Sequence, residues 1–174
     1  MFVDGFRRAF VAASVVWAAL LPIAPFAASQ PAPAGAWYAL AFLVYGIGSV
    51  ICHQLPERSF ELWSAQLPVC ARCTGIYAGA AIAAIIAGII RPKPDPTSEQ
   101  TIRRRPDPTY AIRARLAAAA LPTVLTLGYE WTTGDAPSNV VRAVSGAPLG
   151  AAVALTVMEL LRATPVARSA GKVN

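Results

Sequence analysis

Apolar runs of membrane-span length recur along this chain, and no other feature restricts its fold so sharply. Five of them cover approximately residues 9–26, 37–51, 73–90, 116–131 and 141–161. Each is near the roughly 20 residues that cross a hydrocarbon core of about 30 Å. Inside lipid a backbone must satisfy its own polar groups, so each run reads as a helix. Pro22 and Pro25 fall near the end of the first, where a helix tolerates them best, and Pro122 predicts a kink in the fourth. Trp37 and Tyr38 stand where interfacial anchors belong. Hydrophobic residues make up 56% and charged residues 14% of the 174, against roughly 45–50% and about 25% in a soluble domain. The expected architecture is all-α: one integral membrane domain over residues 1–174, a bundle of about five transmembrane helices with a short interfacial helix.

Fifteen Lys and Arg against nine Asp and Glu give a net charge of +6. Seven of the fifteen lie between Arg91 and Arg115, flanked by apolar runs. That placement marks a cytoplasmic loop held near anionic headgroups and argues against a nucleic-acid surface. Residues 91–115 therefore read as a flexible basic connector. The segment PERSFELWSAQLP, bracketed by Pro56 and Pro68, would suit the short interfacial helix.

With five crossings, the count of basic residues favours an amino terminus outside and the connector inside, ten Lys and Arg against five. A competing reading takes the first run, with its charged start and small-residue end, as a cleaved signal peptide. Either way, two crossings separate the loop after the second run from the loop after the fourth, so the two share a face. Gly75, Gly79 and Ala83, like Gly146, Gly150 and Ala154, recur every fourth position, which lets the third and fifth helices approach closely. Chance repetition in alanine-rich runs produces the same pattern.

All three cysteines and the only histidine fall in ICHQLPERSFELWSAQLPVCARCTG, residues 51–75. Cys70 and Cys73 form a C-x-x-C unit whose sulfurs can reach one metal or each other. With Cys52 and His53 they make a Cys₃His set suited to zinc or another thiophilic ion, His53 being a ligand or a residue that orients one. Two alternatives stand beside it. A C-x-x-C opening a helix also suits thiol redox chemistry, because the helix N-terminus lowers a thiol pKa. Cysteine is also simply a small residue often found buried.

Arg72 between the cysteines, with Glu57 and Arg58 after the histidine, could stabilise thiolates or grip an oxyanion, or could be ordinary snorkelling charges. Glu130 and Arg142 lie at the ends of apolar runs facing a short loop, where an ionisable group needs a partner, so an interhelical pair is expected. Asp135 and Asn139 share that face. Glu159, beside Arg162, reads as an end-of-helix charge.

CHQLPERSF, LPVCARCTGIYAG and SNVVRAVSGAPLG, in that order over roughly residues 50–152, resemble a family of bacterial multi-pass membrane proteins described as a domain of unknown function. Its pattern commonly has an aspartate where Glu130 stands and TG where Ser145 and Gly146 stand. The resemblance implies Cys52, His53, Gln54, Cys70, Arg72, Cys73, Asn139 and Arg142 as a signature, and a location in the bacterial inner membrane. It supplies no activity, so whether the protein is an enzyme stays open.

Three functions follow. The first is a membrane metal-binding protein in which Cys52, Cys70, Cys73 and His53 hold zinc on the outer face. Beside that site Glu130, Asn139, Arg58, Arg72 and Arg142 line a pocket for a small anion or lipid headgroup; with Glu57 these are the candidate catalytic residues. The second is a thiol–disulfide oxidoreductase with Cys70 attacking, Cys73 resolving and a quinone or partner protein as acceptor. The third is a non-catalytic transport or assembly factor, disfavoured by the scarcity of polar residues in mid-span. The lipid bilayer is the expected partner, nucleic acid is not, and the small-residue faces permit self-association.

Overall fold

The computed structural model describes residues 2–31, 35–90 and 108–163. Five helices form the all-α bundle: α1 (Phe2–Ala28), α2 (Gly35–Ile51), α3 (Ala71–Ile89), α4 (Pro108–Thr133) and α5 (Asn139–Ala163). All but α2 are long and apolar enough to cross a membrane.

α1 runs antiparallel to α3. The Arg7 guanidinium donates to the carbonyl of Gly88 at 3.4 Å, Trp17 meets Tyr77 edge-on at 5.8 Å between centroids, and Leu21 and Pro22 lie by Thr74 and Ala78. α4 runs antiparallel to α5, with Thr123 bonded to the Ser145 carbonyl. α3 and α5 run parallel. The bundle therefore has a site end, holding the starts of α3 and α5, and a far end, holding the starts of α1 and α4.

α2 does not alternate with them. Its beginning touches the end of α1 through Trp37 and Phe26, 6.4 Å between ring centroids. Its last turn passes beneath Pro68, just before α3. Both ends of α2 lie at the site end, so it is laid along that end instead of making the expected crossing at residues 37–51. At 17 residues and about 1.5 Å each it falls slightly short of a hydrocarbon core of about 30 Å. In consequence the start of α1 shares the far end with the start of α4, whereas five crossings would have put it on the site side.

The interfacial helix expected at residues 56–68 is replaced by a single 3-10 turn, Pro56–Arg58, and a two-stranded hairpin. Strand β1 (Glu61–Leu62) pairs antiparallel with β2 (Ala65–Gln66). Trp63 and Ser64 between them both take positive φ, 52° and 58°, the requirement of the tight two-residue turns that match strand twist. The Trp63 ring packs edge-on against Phe26 at 5.3 Å. It is this hairpin, with α2, that covers the site end.

The α3–α5 contact is backbone on backbone. A Cβ on Gly75 would stand 1.9 Å from the carbonyl oxygen of Ala143, one on Gly79 2.1 Å from that of Ala147, and one on Gly150 1.8 Å from that of Ile76. The two glycine pairs singled out by their spacing thus face each other. Such contact replaces the hydrophobic drive that is missing between helices in lipid.

α4 begins at Pro108, a residue suited to a first helical turn. Residues 108–115 of the expected basic connector are therefore helical, while residues 91–107 lie outside the described residues. Arg115 in this first part of α4 holds Glu159 of α5 through two bonds of 2.7 and 2.8 Å and Thr156 at 3.0 Å. Glu159 is thus an interhelical partner and not a plain end-of-helix charge. Arg162 turns instead to the carbonyl of Ala87 at the end of α3, at 2.5 Å.

Candidate metal centre and arginine pocket

Cys52 follows the last turn of α2, Cys70 caps the start of α3 and Cys73 lies in its first turn. The three Sγ atoms lie within 4.8 Å of one another. Sulfurs sharing one tetrahedral zinc at about 2.3 Å stand about 3.8 Å apart, so a small contraction would seat an ion. The N–H of Cys70 donates to Cys52 Sγ at 3.2 Å. All three thiols are free and half-buried.

A polar clamp brings Cys52 to Cys70. Gln54 takes a left-handed φ of 50°, rare outside glycine, and its amide donates to the carbonyls of Tyr45 at 3.0 Å and Pro68 at 2.6 Å. Gln66 donates to the Gln54 carbonyl at 2.6 Å and the Tyr45 hydroxyl donates to the Gln66 carbonyl. Gly48 makes room: a Cβ there would stand 2.2 Å from the Pro68 oxygen. Of these residues only Gln54 is marked in the sequence, through the resemblance. Tyr45 and Gly48 were legible only as an unexplained hydroxyl and an unexplained glycine in an apolar run, and Gln66 carried no signal.

His53 is exposed, and its ring nitrogens fall outside the group of sulfurs. It lines the same cavity, of 260 Å³, as the three cysteines. The closed Cys₃His shell is thus opened to three sulfurs with an accessible side.

Glu130, near the end of α4, is the electrostatic hub. Its Oε1 accepts from Arg58 at 2.9 Å and from Arg142 at 3.0 Å, and its Oε2 lies 3.8 Å from Arg72. The Glu130 side chain is 8% exposed and that of Arg142 3%, so this pair shields its charge from water almost completely. Arg142 also donates to Asn139 Oδ1 at 3.3 Å and to the Glu57 carbonyl at 3.4 Å. Asn139 in turn donates to the Ser59 carbonyl at 2.8 Å, and Arg72 reaches Thr126 at 3.4 Å. The expected Glu130–Arg142 pair therefore forms, within a cluster of three arginines drawn from the loop, α3 and α5. Glu57 contributes only its carbonyl to these bonds, and its side chain is exposed, as is Asp135.

The two clusters touch. Arg58, Arg72 and Arg142 line the cavity that the cysteines line. A hydrogen bond from the Cys73 thiol is the main cause that lowers the Cys70 thiol to about 5, against burial that raises it.

The sequence profile of a family described as "Predicted membrane protein (DUF2085)" matches residues 52–156, a segment that contains every side chain of both clusters. The chain belongs to this family. Within reach of DUF2085 membership, an "Uncharacterized protein MJ1492" of Methanocaldococcus jannaschii is 38% identical over 69 residues, 40% of this chain and 44% of that one. An "Uncharacterized protein" of Methanothermobacter thermautotrophicus is 60% identical over 30 residues, 17% of this chain and 27% of that one. The chain therefore spans less than half the length of either relative. Both relatives are archaeal, and the bacterial source implied by the resemblance gains no support from them. No solved structure matches.

Proposed function

We propose that this DUF2085 protein is a membrane metalloprotein whose Cys52, Cys70 and Cys73 bind zinc or another thiophilic ion, with a fourth position open to the arginine-lined pocket. The observation that carries the reading is the three sulfurs gathered within 4.8 Å around one cavity. Three protein ligands with an accessible side are the pattern of reactive zinc sites, whereas four make a structural one. The ion when bound supplies Lewis acidity. His53, on the cavity wall, serves to hold or pass a proton there, and Glu130 keeps Arg58 and Arg142 aimed at the pocket.

The site end faces away from the cytoplasm in this reading. With α2 laid along the site end, Arg58, Arg72 and Arg142 are the only Lys or Arg at that end among the described residues. Arg7, Arg8, Arg113, Arg115 and Arg162 lie at the far end. The other seven fall by sequence in the connector from α3 to α4 or after α5. Twelve against three is a steeper bias than five crossings would produce, and it orients the far end inward.

A second reading is favoured by the Cys70 thiol, lowered to about 5 at the start of a helix. Here Cys70 and Cys73 form a disulfide, giving two electrons and two protons to a quinone or a partner disulfide. Elemental analysis of the detergent-purified protein, with thiols counted natively and after denaturation, separates the two. The metal reading expects about one ion per chain, lost in Cys73→Ser. Metal-free protein with two thiols missing until a reductant is added would replace it with the redox reading.

A further inference from the structure

We infer that the arginine pocket binds a phosphate group, most naturally one carried on a lipid. This rests on the arginine half of the proposed site and not on the metal. Basic residues are kept off the outer face of a membrane protein, yet the three that the described residues place at the site end converge on one point. A single carboxylate, Glu130, faces three guanidinium groups, so the arginines outnumber it three to one on their side of the cavity. The Nε atoms of Arg72 and Arg142 are buried without a hydrogen-bond partner, and Arg142 is almost fully enclosed. A buried unpaired donor of this kind costs stability unless something completes it.

The chemistry of the completing group follows from the approach of the arginines. The carboxylate already present, Glu130, takes Arg58 and Arg142 on one oxygen and stands 3.8 Å from Arg72, so its two coplanar oxygens leave donors of all three guanidinium groups unused. Arg58, Arg72 and Arg142 arrive from a loop and two helices, and the group that accepts donors from several directions at once is a tetrahedral oxyanion. Ile51, Leu55 and Ile76 give the same cavity an apolar stretch of wall beside the cysteines, His53 and Gln54. Ile51 and Leu55 are also exposed, so a chain attached to the phosphate has an apolar surface to follow.

The test is calorimetric titration of the full-length protein in non-ionic detergent with dihexanoyl phosphatidic acid, with inorganic phosphate and with dihexanoyl glycerol. Metal content is read on the same samples. Binding of the phosphatidic acid, weakened at least tenfold by Arg58→Gln and by Arg72→Gln, is the expected result. Arg58 is half exposed, so its replacement leaves the fold standing where an Arg142 variant would not. Equal binding of inorganic phosphate would keep the oxyanion site and make free phosphate its source. No binding of either phosphate, equal binding of dihexanoyl glycerol, or binding indifferent to both variants overturns the inference. Loss of metal with phosphate binding intact would remove the metal reading alone, and metal without phosphate binding would remove this one alone.

Discussion

Glu130 shows what one side chain decides at the residue scale. Its partners lie 72, 58 and 12 positions away in sequence, and removing it strands Arg142, which water cannot reach. Breaking one side of a buried ion pair typically costs 3–5 kcal/mol. Glu130→Ala is therefore expected to lose about 3 kcal/mol, read as a lowered thermal midpoint in detergent; an unchanged midpoint would mean that the pair is solvated. The thiols give a second prediction. The Cys70 pKa is depressed to about 5, so its reactive anion is present above that pH and disappears below it. Alkylation of the metal-free protein by iodoacetamide should be at its full rate at pH 7 and fall by about half near pH 5, while a titration centred near 8.5, the ordinary thiol value, would contradict it. The cysteines were legible because the residue is rare and its spacing has a meaning. His53 was equally rare, but nothing in its neighbourhood says whether a ring points toward a sulfur or away from it. The convergence of Arg58 and Arg72 on Glu130 was illegible for a related reason, since charges in a loop and at two helix ends have many ways to pair.

At the scale of elements, composition identified every helix but not its place. The run from Trp37 to Ile51 is as apolar as a span, and a helix lying along the membrane-facing end of a bundle needs the same side chains as one that crosses. Only length hinted at the difference. The hairpin was missed because Phe60, Leu62, Trp63 and Leu67 fit a helical face, while the turn that wins is set by two non-glycine residues in left-handed conformations. Glycine spacing was the better guide, and it is testable. Gly150→Ala drives a methyl to 1.8 Å from a carbonyl oxygen that cannot move aside, so a loss of about 1–3 kcal/mol is expected. Gly128→Ala, which has nothing within 4 Å, should be neutral or stabilising by about 0.5–1 kcal/mol. Equal midpoints for the two variants would show that α3 and α5 do not touch as described.

On the scale of the whole molecule, four helices among the described residues are long and apolar enough to cross a membrane, and four crossings would put the hairpin and the start of α1 on opposite sides. Cysteines placed at Ser64, in the exposed turn of the hairpin, and at Gly5, near the start of α1, should then label from opposite sides. A membrane-impermeant maleimide is expected to modify Ser64→Cys in intact cells and Gly5→Cys only after permeabilisation. Labelling of both from outside would restore five crossings, and the reverse pattern would put the site in the cytoplasm. Parity of crossings could place the two loops on one face from sequence alone, because removing one early span leaves the later count unchanged. The position of the amino terminus had no such protection and moved with α2.

Side chains usually form the cushion between helices, and each rotamer is a place where a displacement can be lost. Between α3 and α5 there is no cushion, since glycines set backbone against backbone from Gly75 to Gly150. Cys73 rides on one of these helices and Arg142 on the other, each within a turn of the contact. The sulfurs of α3 and the guanidinium of α5 therefore share their degrees of freedom: whatever tilts one helix carries the opposite half of the cavity with it, and a ligand pulling on the arginine is felt at the thiols as motion and not as slack.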